Sequence, residues 1–168
     1  RCSNRDSGLF EATESPDWMI HENDPDHYPA FIALNQDWIQ EYFELEPIDL
    51  DLARDPSSVV RNGGSIFTLT EGDEVVSVCA LFKKSETEYE LARMATKKSA
   101  RGKGYGRQVL NYALEKAKTL GAKKVYLVSN TTLKPALHLY EAVGFKTTHI
   151  GQDPFYKRAD IRMEMEVG

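Results

Sequence analysis

Cysteine is nearly missing from this chain: two residues in 168, Cys2 and Cys79, and no CxxC pair. Thiols so placed build neither a disulfide framework nor a cysteine metal cage. Cys79 lies in an apolar strand pattern and reads as a buried structural thiol. A reduced, cytoplasmic setting is the expectation. His21, His27, His138 and His149 are scattered along the chain without metal-ligand spacing, so no metal is expected. No apolar run approaches the ~18 residues that a membrane span needs, and there is no repeat or low-complexity tract. The opening, Arg1 to Phe10, is polar and carries no secretory signal. Residues 1–16 are expected to be a disordered lead, or one foreign to the native domain. A single domain is expected over 17–168.

What is present suits a packed globular fold, with 41% hydrophobic and 10% aromatic residues. The net charge of −5 is unevenly divided. Residues 1–60 hold fourteen acids and three bases, a balance of −11, while residues 61–168 hold twelve acids and eighteen bases, a balance of +6. One side could therefore hold a cation and the other an anion.

Periodicity predicts a strand over Trp18 to Glu22 and a helix over Ala30 to Phe43, with Phe31, Leu34, Trp38 and Tyr42 on one face. Glu44 to Asp51 reads as an acidic link broken by Pro47, followed by a short helix over about Asp55 to Arg61. Ser65 to Thr70 and Val75 to Phe82 read as a hairpin about Glu71-Gly72-Asp73-Glu74, with Tyr89 to Thr96 the next strand. Gly104 to Leu120 is a strong helix with a stripe of Val109, Leu110, Ala113, Leu114 and Ala117, capped by Gly121. Lys123 to Ser129 reads as a central strand covered on both faces. A helix over Pro135 to Val143 stops at Gly144, and strands over Phe145 to Ile150 and Ile161 to Val167 close the chain. The class is mixed α/β.

The segment Arg93 to Arg107, RMATKKSARGKGYGR, holds six bases, no acid and three glycines between a strand and a long helix. Glycines there let several N–H groups turn toward one point, which the helix dipole makes favourable for an anion. A polyphosphate is the natural occupant. The patterns GxxxxGK[ST] and GxGxxG both fail, since residues 107 and 109 are Arg and Val. A basic loop for nucleic acid is disfavoured by the acidic total and the lack of interleaved aromatics.

Arg101-x-x-Gly104-x-Gly106 instead matches the Q/R-x-x-G-x-G/A signature of the GNAT acetyltransferase superfamily. LYEAVGF, Leu139 to Phe145, resembles that family's second motif about 40 residues on, and the resemblance covers roughly Ile20 to Val167. It implies a mostly antiparallel sheet of six or seven strands, splayed at the cofactor site and flanked by about four helices. It also implies acetyl transfer from acetyl-CoA to an amine by direct transfer in a ternary complex.

By the same resemblance, the backbone of Arg101, Gly102, Lys103, Gly104, Tyr105, Gly106 and Arg107 surrounds the pyrophosphate. The strand residues Met94, Ala95 and Thr96 bond the cofactor arm and the acetyl oxygen. Glu90, eleven residues before Arg101, matches the catalytic glutamate of some members and is the candidate base. Tyr140 is the candidate acid for the leaving thiolate. Where members often carry an Asn seven residues before that Tyr, this chain has Leu133. Asn130, at the strand end, is the remaining candidate contact. A small-molecule amine is the expected acceptor, with no nucleic acid or membrane partner and a homodimer left open. Alternatives are a peptide or protein acetyltransferase and a non-catalytic acyl-CoA sensor. Carboxylates at 41, 44, 46, 49 and 51 are expected to wall the acceptor side and attract an ammonium, with Lys157 and Arg158 opposite for a carboxylate.

Overall fold

A computed structural model describes residues 17–168. The expected lead, residues 1–16, and Cys2 lie outside the described residues. Along the chain come β1 (Trp18–Glu22), a short 3-10 turn (Pro25–His27), α1 (Tyr28–Tyr42), α2 (Pro47–Arg54), α3 (Ser58–Arg61), β2 (Ser65–Glu71), β3 (Glu74–Lys83) and β4 (Glu88–Thr96). A second 3-10 turn (Lys98–Ala100), α4 (Tyr105–Thr119), β5 (Lys124–Ser129), α5 (Lys134–Val143), β6 (Lys146–Ile150) and β7 (Ile161–Glu166) follow. The strands form one sheet in the order β1-β2-β3-β4-β5-β7-β6. Every pairing is antiparallel except β4 with β5.

The α4 stripe is buried as its period requires: Val109, Leu110, Ala113, Leu114 and Ala117 pack on one face of the sheet with Leu91, Val125 and Leu127. Each Val or Leu so buried contributes about 1.5–3 kcal/mol relative to exposure. On the other face α1 and α3 cover Ile66, Val78, Ala80 and Ala95 through Tyr28, Phe31 and Val59. Among the described residues no helix is long and apolar enough to cross a membrane.

Three local readings are corrected. Pro47 does not break the acidic link; it starts α2, where its missing N–H and fixed φ are tolerated, inside a capping box made by Glu46 and Asp49. The helix expected over Asp55 to Arg61 shrinks to the single turn of α3. And β5 is not covered on both faces: Val125 and Leu127 are buried, whereas Tyr126 and Val128 are half-buried and face a cavity.

The irregularity that matters lies in β4. Its register with β3 runs from Lys83↔Tyr89 to Ala80↔Ala92 and resumes at Val78↔Ala95, so Arg93 and Met94 together oppose Cys79. This is a β-bulge, and Arg93 takes φ 60 to make it. The buried Asn35 of α1 donates from Nδ2 to Phe31 O and to Arg93 O, both at 3.0 Å, tying the bulge to the helix. The bulge bends β4 away from β5. Their parallel pairing covers only Glu88 to Glu90 against Lys124 to Tyr126. From Leu91 onward one edge of β4 has no strand partner, and a gap opens through the sheet.

Candidate active site

Two cavities meet in this gap. The outer one, about 720 Å³, lies between the end of α1, the start of α4 and α5. The inner one, about 530 Å³, lies under α2, α3 and the segment 151–156. A neck of about 90 Å³ joins them. Trp38, Met94, Leu133 and Tyr140 line both neck and outer cavity, and Glu90, Arg93, Val128 and Tyr156 line both neck and inner chamber.

The outer cavity collects most of the residues expected to hold the cofactor. Met94, Ala95, Thr96, Arg101, Gly102, Gly104, Tyr105, Gly106 and Arg107 line it. Gly104 caps α4 at φ 81, and a Cβ added there would meet nothing within 4 Å. The loop borders open space there, in a conformation costing a side-chain-bearing residue about 1–2 kcal/mol. Gly106 serves close approach: its Cβ would come within 3.1 Å of Met94 Cε. A basic glycine cradle at the start of a 15-residue helix fits a diphosphate.

The side chains of two residues of the loop are engaged beside the cavity, while Lys103 itself is not among its lining residues. The Lys103 ammonium pairs with Glu71 at 3.1 Å, beside the Tyr105 hydroxyl, which donates to Glu71 at 2.5 Å. Arg101 donates to both oxygens of Glu41 at 3.1 and 2.8 Å and from Nε to Thr96 O at 3.1 Å. Its guanidinium therefore fastens α1 to the end of β4, and the hydrogen bond from Arg101 holds the Glu41 carboxyl below the usual range.

At the neck, Tyr140 packs against Phe145 with ring centroids 6.1 Å apart. Its hydroxyl finds only a weak acceptor among the described residues, Met94 Sδ at 4.0 Å. Burial pushes the phenol up to about 12, so it stays protonated and available as a donor. Asn130 also reaches the neck, but its side chain holds the loop: Nδ2 donates to Arg158 O at 2.8 Å, and Oδ1 accepts from the Thr132 N–H and hydroxyl.

Glu90 stands on the other side, with its side chain 6% exposed. Burial raises its carboxyl, opposed by Lys84, whose ammonium is 3.5 Å away, and by the Tyr126 hydroxyl donating at 3.4 Å. A carboxylate raised by burial at the floor of a cavity is suited to take a proton.

The inner chamber departs from the expected acidic wall. Asp49 is 3% exposed and lies between two guanidiniums. Arg93 Nη1 donates to it at 2.5 Å, and Arg158 donates through Nη1 and Nη2 at 2.7 and 2.8 Å. Burial works against the Asp49 charge, yet the bonds from Arg158, the Glu46 backbone and Arg93 win and hold its carboxyl low. Glu46 accepts from the Lys157 and Arg158 N–H groups at 2.9 and 3.3 Å. Glu41, Glu46 and Asp49 are thus each matched by a guanidinium, while Asp51 lines the chamber. Glu46 and Asp49 fasten Lys157 and Arg158 to the start of α2, so that the segment 151–158 forms a roof. Nothing in the sequence marks Arg93 and Tyr156 as its pillars: both guanidiniums stack on Tyr156, 5.5 and 5.0 Å from its ring centre.

Known proteins share this plan. The model of the acetyltransferase (GNAT) family matches residues 18–145. The uncharacterized N-acetyltransferase YvbK of Bacillus subtilis is 34% identical over 119 residues, 68% of this chain and 77% of that protein. The uncharacterized N-acetyltransferase YjgM of Escherichia coli is 33% identical over 87 residues, 52% of this chain and 45% of that protein. The structure of YncA, a putative acetyltransferase from Salmonella typhimurium with its cofactor acetyl-CoA, superposes with TM-score 0.76 at 14% identity, covering 90% of this chain and 95% of that one.

Proposed function

The chain belongs to the acetyltransferase (GNAT) family, and from that premise we propose that it acetylates the primary amine of a small molecule, with acetyl-CoA as donor. The observation that carries this reading is the continuous passage, with a phosphate cradle at one mouth, Tyr140 and Glu90 about its neck, and a roofed chamber at the other end.

Acetyl-CoA would supply an activated acyl thioester. The cradle from Arg101 to Arg107 binds and orients its diphosphate. The unpartnered edge of β4 at Met94 to Thr96 offers fixed backbone donors to an acyl oxygen. Glu90, directly or through a water, takes a proton from the incoming ammonium, and Tyr140 holds one for the departing thiolate. Family matching alone assigns these two roles; burial, cavity position and the shifted carboxyl and phenol support them.

The size and closure of the chamber favour a small acceptor over a polypeptide. The roof is tied down by Glu46 and Asp49, and a chain entering from that side would have to break those bonds. Its charged lining is mixed: Lys83, Lys84, Arg93 and Arg162 against Asp51, Glu90 and Asp153. Groups of both signs within one small chamber suit an acceptor bearing an anionic group beside its amine, such as an amino acid, better than a polyamine. Thiol release from acetyl-CoA should be measured with amino acids, polyamines and lysine peptides. Amino acids should give the highest specificity constants. A preference for peptides sinks the small-molecule reading, and a preference for polyamines sinks the anionic one.

A further inference from the structure

Two histidines that look scattered in the sequence come together in the fold. After β1 the chain turns sharply at Asn23, φ 57, whose N–H and Oδ1 bond the backbone of Ile66 at 2.8 and 2.7 Å. The 3-10 turn then folds back over β1. One donor atom from each of His21, Asp24 and His27 lies within 4.8 Å of the other two. The imidazoles meet edge to face with centroids 4.8 Å apart, and His27 Nε2 is 3.6 Å from Asp24 Oδ2.

The surroundings hold these rings as a metal site holds its ligands. His27 Nδ1 is 2.7 Å from the Thr68 hydroxyl, and His21 Nε2 is 3.0 Å from the Thr70 hydroxyl. The Thr70 hydroxyl also has Met19 O within 3.4 Å, so when its proton goes there it accepts from His21 Nε2–H and leaves Nδ1 for an ion. Each imidazole thus has one nitrogen engaged by β2, while His27 Nε2 faces Asp24 and His21 Nδ1 has no hydrogen-bond partner among the described residues. Metal-binding histidines use the same arrangement, in which an outer partner fixes the ring and its tautomer. All three residues are half-buried, within reach of solvent, and none lines the passage.

We infer that His21, Asp24 and His27 bind one divalent ion of the zinc type, with water completing its shell. Two imidazoles and one carboxylate without cysteine suit Zn²⁺. A tetrahedral ion with bonds of ~2.0–2.2 Å needs donors about 3.4 Å apart, so side-chain rotations of about 1 Å close the present spacing. The ion joins β1 to the turn that leads into α1, the helix whose Asn35 holds the β4 bulge. Its role is to stabilise the fold, apart from the chemistry.

The test uses the full chain stripped with a chelator and titrated with Zn²⁺ alone by calorimetry, with melting followed in parallel. One ion per chain should bind and raise the melting temperature. His21→Gln and His27→Gln should weaken binding more than tenfold, with folding checked by circular dichroism. Thr68→Val touches no ion, yet should weaken binding about tenfold by freeing the His27 ring; it decides the matter if the histidine variants fail to fold. His138→Gln and His149→Gln should leave binding unchanged. Absence of saturable binding, or site variants that bind like the parent chain, overturns the inference. The melting shift given by acetyl-CoA should survive stripping, so failure here leaves the proposed function standing.

Discussion

The two ends of the passage are built by different means. The outer cavity is a backbone structure: a strand end, a glycine loop and the first turn of α4 are consecutive in the chain, and their ion pairs with Glu41 and Glu71 lie near the surface. The inner chamber is held by side chains. Its roof hangs on Asp49, Arg93 and Arg158, two buried charges and one half-buried charge from three distant segments. Near-surface pairs contribute little, whereas a buried charge left without its partner is costly. Changes at the outer end should therefore be read out in cofactor affinity, and changes at the inner end in stability and acceptor choice.

The sharpest way to break that comparison is Asp49→Ala. It takes the carboxylate partner from Arg93, whose side chain is 5% exposed, and leaves Arg158 with Glu46 alone, and should cost about 3–5 kcal/mol in urea unfolding. A loss below about 1 kcal/mol would mean that the roof is held by something other than this triad. At the neck, Tyr140→Phe keeps the ring against Phe145 and removes only the donor. Turnover should fall about 10²-fold while acetyl-CoA affinity stays nearly intact. Unchanged turnover would reduce Tyr140 to a packing residue.

At the outer end, Gly104→Val forces a β-branched residue to φ 81 and fills the open cradle. About 1–2 kcal/mol of strain is expected. The larger sign is loss of the acetyl-CoA melting shift in a chain that still folds. A preserved shift would move the phosphates elsewhere.

The smallest effect belongs to Glu90→Gln. Burial raises the Glu90 carboxyl, so the folded chain holds that proton more tightly than the unfolded one. Its stabilising contribution is full below the ordinary glutamate range and is lost as pH rises through the folded value. Glutamine does not titrate, so the variant should gain on the parent chain in melting temperature as pH rises through that window. Its turnover should lose the rise with pH that a carboxylate base gives. A variant as active as the parent chain at every pH would leave the proton to water.

Much of this was legible before any coordinates, for reasons that can be named. The α4 stripe from Val109 to Ala117 and the hairpin β2–β3 follow periods of 3.6 and 2, which the backbone imposes within a few residues. The cradle at Gly104 is similarly local: an anion site at a helix start needs only a loop that can turn and a helix that follows. Pro47 is ambiguous in sequence because a proline marks a helix's first turn as readily as its end, and the capping box of Glu46 and Asp49 decides between them.

The sequence by itself determined the strands, the long helices, the glycine loop before α4 and the family, since each rests on neighbours in the chain. Only the tertiary structure decided the bulge at Arg93, a residue with no glycine-like tolerance for φ 60, held there by Asn35, 58 positions away. It alone made Asp49 the anchor of a roof through Arg158, 109 positions away, and turned the Tyr126 and Val128 face of β5 toward a cavity. It alone brought His21 and His27 to the same threonine-bearing strand. Burial and charge pairing act through space, and separation along the chain carries no record of which distant groups will share a low-dielectric interior.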